Sequence, residues 1–135
     1  MRVLLPIAVV LLVSACGGEA DRPSSGPSAT LRVSHVLDPN AKALYMEGSI
    51  WHLRVLDSRG DAVLDRRLVD NSVSVRLHEG RYRLESEELP CDGNCSHLDP
   101  ATDGCSTEFD VQAGASLTGK VTLEPAEGCK AVVRA

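Results

Sequence analysis

Ser72-Val73-Ser74-Val75-Arg76-Leu77, followed by Glu79-Gly80 and Tyr82-Arg83-Leu84, is the stretch that decides the fold. Val73, Val75 and Leu77 alternate with Ser72, Ser74 and Arg76, the period of two expected of a strand with one buried and one wet face. Glu79-Gly80 turns the chain, and Tyr82 and Leu84 resume the alternation around Arg83. Upstream, Asp57-Ser58-Arg59-Gly60 reads as a hairpin turn. It separates Ile50–Leu56, with Trp51, Leu53 and Val55 on one face, from a less regular strand over Ala62–Val69. Leu31, Val33 and His35 alternate with polar neighbours, Asp38-Pro39-Asn40 is a turn signal, and Ala41–Met46 has room for one helical turn at most. Downstream, Pro90–Gly104 reads as a long loop, and Cys105, Thr107, Phe109 and Val111 share one strand face. Ala113-Gly114 turns into Leu117–Leu123, and Cys129–Val133 closes the chain. No segment keeps a helical period over ten residues or more. Seven or eight strands with turn signals roughly every 8–12 residues predict an all-β chain, an antiparallel β-sandwich of the prealbumin-like or immunoglobulin-like kind, spanning residues 31–135.

The Gly80-Arg81-Tyr82-Arg83-Leu84 segment is similar to the Gly-x-Tyr-x-Leu opening of a strand in transthyretin-like and carboxypeptidase-regulatory-like β-sandwich domains. Val55–Val63 resembles their second hairpin, and Val111-Gln112-Ala113-Gly114 followed by Val121-Thr122-Leu123 resembles their closing strands. The resemblance covers about Gly48 to Leu123 and implies an accessory module that stabilises, spaces or binds. It contributes no catalytic residue.

At the other end of the chain, Leu11-Leu12-Val13-Ser14-Ala15-Cys16 precedes Gly17-Gly18. The apolar run from Val3 to Val13, interrupted by Pro6, is too short for the ~20 apolar residues of a membrane span and fits the h-region of a signal peptide. The arrangement looks like a bacterial lipoprotein signal. It implies cleavage after residue 15, lipid on Cys16 and an extracytoplasmic chain anchored to the cell membrane or an outer membrane. An ordinary secretory signal and an uncut anchor are the competing readings. Gly17 is not the Asp that resembles an inner-membrane retention signal. Residues 16–30 form the lipidated N-terminus and a Gly/Pro/Ser-rich tether, GGEADRPSSGPSAT after the cysteine, with a root-mean-square span of about 20 Å.

Removing the first 15 residues leaves 120, with 13 basic residues against 19 acidic, a formal charge of −6. That size is one domain. The acidic balance argues against a nucleic-acid partner, whose phosphates need Lys and Arg. It argues equally against a second, polybasic membrane contact. Tyr45, Trp51, Tyr82 and Phe109 are too few aromatics for a platform that stacks bases or sugars.

Cys91, Cys95, Cys105 and Cys129 are an even set in an oxidising compartment, so two disulfides are expected. Three connectivities are open. The favoured one joins Cys91 to Cys105 at the neck of the loop, worth about 3 kcal/mol in the chain-entropy model, and Cys95 to Cys129. The four-cysteine loop lies outside the domain resemblance and is similar to that of small lipoproteins from GC-rich bacteria. Besides two structural staples, three functional readings fit it. Cys-x3-Cys with a later Cys and His97 could be drawn as a zinc site. Asp92, Asn94, Asp99 and Asp103 are hard oxygen donors that could hold calcium, although their spacing is not that of an EF-hand and they also serve as turn residues. Finally, a stapled exposed loop is pre-organised to bind a protein of the cell envelope, with Asp92, Asn94, His97, Asp99 and Asp103 as contact residues.

Motifs for an enzyme are missing: there is no Gly-x-Ser-x-Gly, no His-Glu-x-x-His and no P-loop. His35, His52, His78 and His97 are scattered and read as solvated surface residues, and Glu85, Glu87 and Glu88 read as a solvated face. The expectation is a non-catalytic module with no cofactor beyond lipid on Cys16. Its partners are the membrane, through that lipid, and an envelope protein at loop 90–105. Calcium or small-ligand binding there and a passive envelope module are the alternatives.

Overall fold

Alternation in the sequence becomes eight strands in the computed structural model, which describes residues 26–38 and 48–135. The signal, Cys16, most of the tether, Pro39-Asn40 and the Ala41–Met46 segment lie outside the described residues. The strands are β1 (Ala29–Leu37), β2 (Ser49–Asp57), β3 (Ala62–Leu68), β4 (Ser72–Leu77), β5 (Gly80–Pro90), β6 (Asp103–Val111), β7 (Ser116–Glu124) and β8 (Gly128–Arg134). No helix occurs among the described residues, and none there is long and apolar enough to cross a membrane. One four-stranded sheet has the order β4-β1-β7-β8 and the other β3-β2-β5-β6, so the chain is the expected all-β sandwich.

Two details depart from expectation. Strand β1 starts at Ala29, inside the stretch read as tether, because Ala29 and Leu31 are both fully buried and pair onward with Leu77 and Val75. In addition, β1 lies parallel to β7, from Thr30 opposite Ser116 to Leu37 opposite Leu123, whereas every other pair is antiparallel. The parallel pair follows from the connections. Only β2–β3, β5–β6 and β7–β8 are hairpins within one sheet, and elsewhere the chain crosses to the opposite sheet. The neighbours of β1 therefore come from distant parts of the sequence, and alternation carries no information about their direction.

The inward faces meet in one core. Leu31 and Val33 of β1, Leu53 and Val55 of β2, and Leu84 of β5 are fully buried, with Val121 of β7 beside them. Each such side chain contributes about 1.5–3 kcal/mol by leaving water. Tyr82 and Phe109 stack with centroids 5.9 Å apart, and the Tyr82 hydroxyl donates to the His78 carbonyl at 3.1 Å across the β4–β5 turn. Burial raises the Tyr82 phenol above its ordinary value. At the β2–β3 turn, Asp57 Oδ1 accepts the backbone N–H groups of Arg59 at 2.8 Å and Asp61 at 2.9 Å. The Asp61 bond is the main reason its carboxyl is held below the ordinary value.

Candidate functional site

The connection between β5 and β6 is shorter than the sequence suggests, because β5 stays paired with β2 out to Ser49 opposite Pro90 and β6 already begins at Asp103. What remains, residues 91–102, is zipped. Leu98 bridges back to Cys91, the Asp99 N–H donates to the Pro90 carbonyl at 2.9 Å, and the Thr102 N–H donates to the Glu88 carbonyl at 3.2 Å. Its tip is a tight turn in which the Cys95 N–H donates to the Asp92 carbonyl at 2.9 Å, the Asn94 side chain accepts the Ser96 N–H at 3.1 Å, and Cys95 takes a φ of 56°. Among the described residues, Cys95 is the one non-glycine with positive φ.

The cysteines form two disulfides as expected, with a different pairing. Cys91 bonds Cys95 and Cys105 bonds Cys129, in place of Cys91–Cys105 and Cys95–Cys129. The reason lies in the strand register. Cys105 sits opposite Ser86 in the β5–β6 ladder, five residues before Cys91, which is roughly 16 Å of strand and far beyond the ~4–7 Å that a disulfide allows between Cα atoms. Cys95 is 4.8 Å from Cys91 between Cα atoms. Cys105 instead faces the neighbouring sheet edge, where its Cα is 5.3 Å from that of Cys129 on β8, and this bond locks the two sheets together. Gly48 backs the loop disulfide. Its carbonyl accepts the Cys91 N–H at 3.1 Å, and a side chain there would begin 3.4 Å from the Cys91 sulfur and 3.5 Å from that of Cys95. Its φ of 132° is a second requirement for glycine.

Of the loop residues singled out from the sequence, Asp92, Asn94, His97 and Asp99 are exposed, while Asp103 is half-buried at the start of β6. They are distributed around the loop. Among the described residues no three His, Cys, Asp or Glu side chains converge as a group that could hold a metal ion.

At the base of the loop, where the Glu88 carbonyl accepts the Thr102 N–H, lies a buried polar cluster that the sequence reading missed. His35 and Glu88 are 7% and 4% exposed, with His35 Nε2 3.2 Å from Glu88 Oε2. Ser49 donates its hydroxyl to the other oxygen of Glu88. Trp51 stacks on the His35 ring at 4.8 Å and donates Nε1–H to Ser86 at 2.6 Å. His35 and Glu88 are thus not solvated residues. The available signal was register: His35 continues the apolar face of Leu31 and Val33, and Glu88 falls on the face of Leu84 and Ser86. By contrast, Glu85 and Glu87 do face water, where they meet Arg54.

In this cluster the carboxylate stands between the hydroxyl and the imidazole. A nucleophilic serine instead needs the imidazole against the hydroxyl, so that the ring can take its proton. The arrangement is one of mutual satisfaction: His35 belongs to one sheet, Glu88, Ser49 and Trp51 to the other, and the bonds tie the sheets together at the base of the loop. An open pocket of about 60 Å³ beside it has room for a few water molecules. No family model, curated protein or solved structure matches the chain.

Proposed function

We propose that the protein is a lipid-anchored, extracytoplasmic binding module that engages a partner of the cell envelope through the stapled loop 91–102. The observation that carries this reading is a loop that is exposed and yet held rigid. Asp92, Asn94, His97 and Asp99 stand in water on a backbone fixed by the Cys91–Cys95 bond, the Cys91–Leu98 bridge and four backbone hydrogen bonds. Such a surface loses little entropy on docking. Two disulfides suit an oxidising compartment, which agrees with the lipobox-like segment ending at Cys16.

Crosslinking and affinity capture from intact cells, with residues 96–102 replaced by Gly/Ser as the control, tests this. The reading expects one dominant partner, lost in the control while the melting temperature stays within a few degrees. A partner retained in the control would overturn the loop assignment. A Cys16→Ala chain that stayed membrane-bound with unchanged mass would overturn the anchor. A melting temperature raised by millimolar calcium would favour the ion-binding alternative.

A further inference from the structure

The two outer faces of the sandwich differ in charge in a way that the net charge of −5 conceals. On the β3-β2-β5-β6 sheet, basic and acidic side chains neutralise each other. Arg54 reaches Glu85 at 3.0 Å, Arg83 reaches Glu85 at 2.8 Å, Arg81 reaches Asp110 at 3.1 Å, and His52 reaches Asp65 at 2.8 Å. Among the described residues, the outer face of the β4-β1-β7-β8 sheet carries Arg76, Arg32, Lys120, Lys130 and Arg134 against one acid, Glu124. All five cations are exposed. None is in any of the ion pairs found among the described residues.

Their placement is two-dimensional. In the ladders Arg76 lies opposite Thr30, Arg32 is flanked by Ser74 and Thr118, Lys120 by Ser34 and Val132, Arg134 is opposite Thr118, and Lys130 is opposite Thr122. No two cations are direct cross-strand neighbours, so repulsion is spread over all four strands, about 14 Å from β4 to β8 at the usual strand spacing. Between them lie small hydroxyl side chains and Val132, and a shallow groove of about 410 Å³ runs among Thr118, Lys120, Thr122, Lys130 and Arg134, lined also by Val132 and the one acid, Glu124.

We infer that this face lies on the anionic surface of a bilayer. Protein interfaces bury a core rich in aromatic residues and depleted of Lys, and among the described residues this face has no aromatic residue. A flat field of separated cations complements an extended layer of phosphate headgroups, which attracts basic residues within a Debye length of ~10 Å. A tether of about 20 Å root-mean-square span leads from Cys16 into β1, a central strand of this sheet, which leaves this face within reach of the lipid. The loop 91–102 connects strands of the opposite sheet and stays free to meet a partner. The inference uses the proposed membrane address and is independent of the loop assignment.

The test is partitioning of the mature chain, residues 16–135 carrying Cys16→Ser, so that neither an acyl chain nor the apolar signal can contribute, onto vesicles of phosphatidylcholine alone or with 30% phosphatidylglycerol. The expected result is preference for the anionic vesicles, abolished by 0.5 M NaCl. At roughly fivefold per basic residue, Lys120→Gln/Lys130→Gln/Arg134→Gln lowers that preference about a hundredfold, while Arg67→Gln/Arg81→Gln on the other face leaves it within a few-fold. Equal partitioning onto both vesicle types, or equal losses in the two variants, would overturn the inference. So would displacement by 10 mM inorganic phosphate but not by chloride of equal ionic strength, which would mean a discrete anion pocket. Unchanged circular dichroism of all variants excludes misfolding. Failure of the lipid anchor is read separately, from the mass of the wild-type chain in cells.

Discussion

Gly119 has no side chain where Val33 crosses it on the neighbouring strand, and a Cβ there would meet Val33 Cγ2 at 3.1 Å. Both residues are buried, so neither can move toward water. Gly119→Ala is expected to destabilise by about 1–3 kcal/mol through overpacking. Adding Val33→Ala should cost less than the sum of the single changes, a non-additivity readable in urea melts. The Glu88 carboxylate makes the opposite demand, since it needs both its partners. Glu88→Ala leaves the buried His35 and the half-buried Ser49 without their acceptor, and a buried polar group left unsatisfied costs about 1–3 kcal/mol. Replacing the pair together, His35→Leu with Glu88→Leu, should recover a large part of that loss. Trp51, stacked on His35, reports both changes by fluorescence. That Glu88 is buried while Glu85 and Glu87 are wet was open to reading from the alternation. Three carboxylates in four residues hid it, because composition suggested a solvated run while register separated them onto two faces.

Strands and loops answer to partners across the sheet. The Cys105–Cys129 bond joins β6 of one sheet to β8 of the other and closes 24 residues of sequence, while Cys91–Cys95 closes four. In the chain-entropy model these are worth about 3.5 and about 2 kcal/mol. Cys105→Ser/Cys129→Ser should therefore lower the melting temperature more than Cys91→Ser/Cys95→Ser. The second pair of changes should mainly raise hydrogen exchange within residues 91–102. The pairing itself is open to direct chemical reading. Cleavage before aspartate without reductant should release residues 103–109 joined to 110–135, and 70–91 joined to 92–98. A fragment 70–91 joined to 103–109 would contradict the fold. The sequence showed that four cysteines would make two bonds. It did not show which, because β5 is extended through Glu87 and Glu88 by its ladder with β2, and that extension carries Cys91 away from Cys105.

Over the whole molecule, charge is segregated and stability follows pH from the acidic side. Asp57 is held below the ordinary carboxylate value of 3.8 by the Asp61 N–H, and Asp65 by its hydrogen bond from His52. The unfolded chain takes up protons at these sites first as pH falls. Their stabilisation is therefore complete above about pH 4 and is lost as pH drops through the lower folded values. Thermal melts should be level with respect to these groups at neutral pH and decline in acid, and Asp57→Asn should lower the neutral-pH melting temperature and flatten the acid decline. Net charge read from composition argued against a second, polybasic membrane contact, but a sum over the chain has no direction and does not show where the basic residues lie. The sheets sort Arg32, Arg76, Lys120, Lys130 and Arg134 to one side and pair Arg54, Arg81 and Arg83 on the other with neighbouring acids.

What the sequence alone determined is the set of local choices: seven or eight short strands, the turns at Asp57–Gly60 and Ala113-Gly114, the inward faces of Trp51, Leu53, Val55 and of Phe109 and Val111, and a cysteine set made for two bonds. Each rests on the chain's own period of two and on turn chemistry within a few residues. Only the tertiary structure decided the parallel β1–β7 pair, the cysteine partners, the buried His35–Glu88 contact and the one-sided basic face. Alternation states which way a side chain points. Which strand lies beside it is set by how two apolar faces close over one another, a property of residues far apart in the chain.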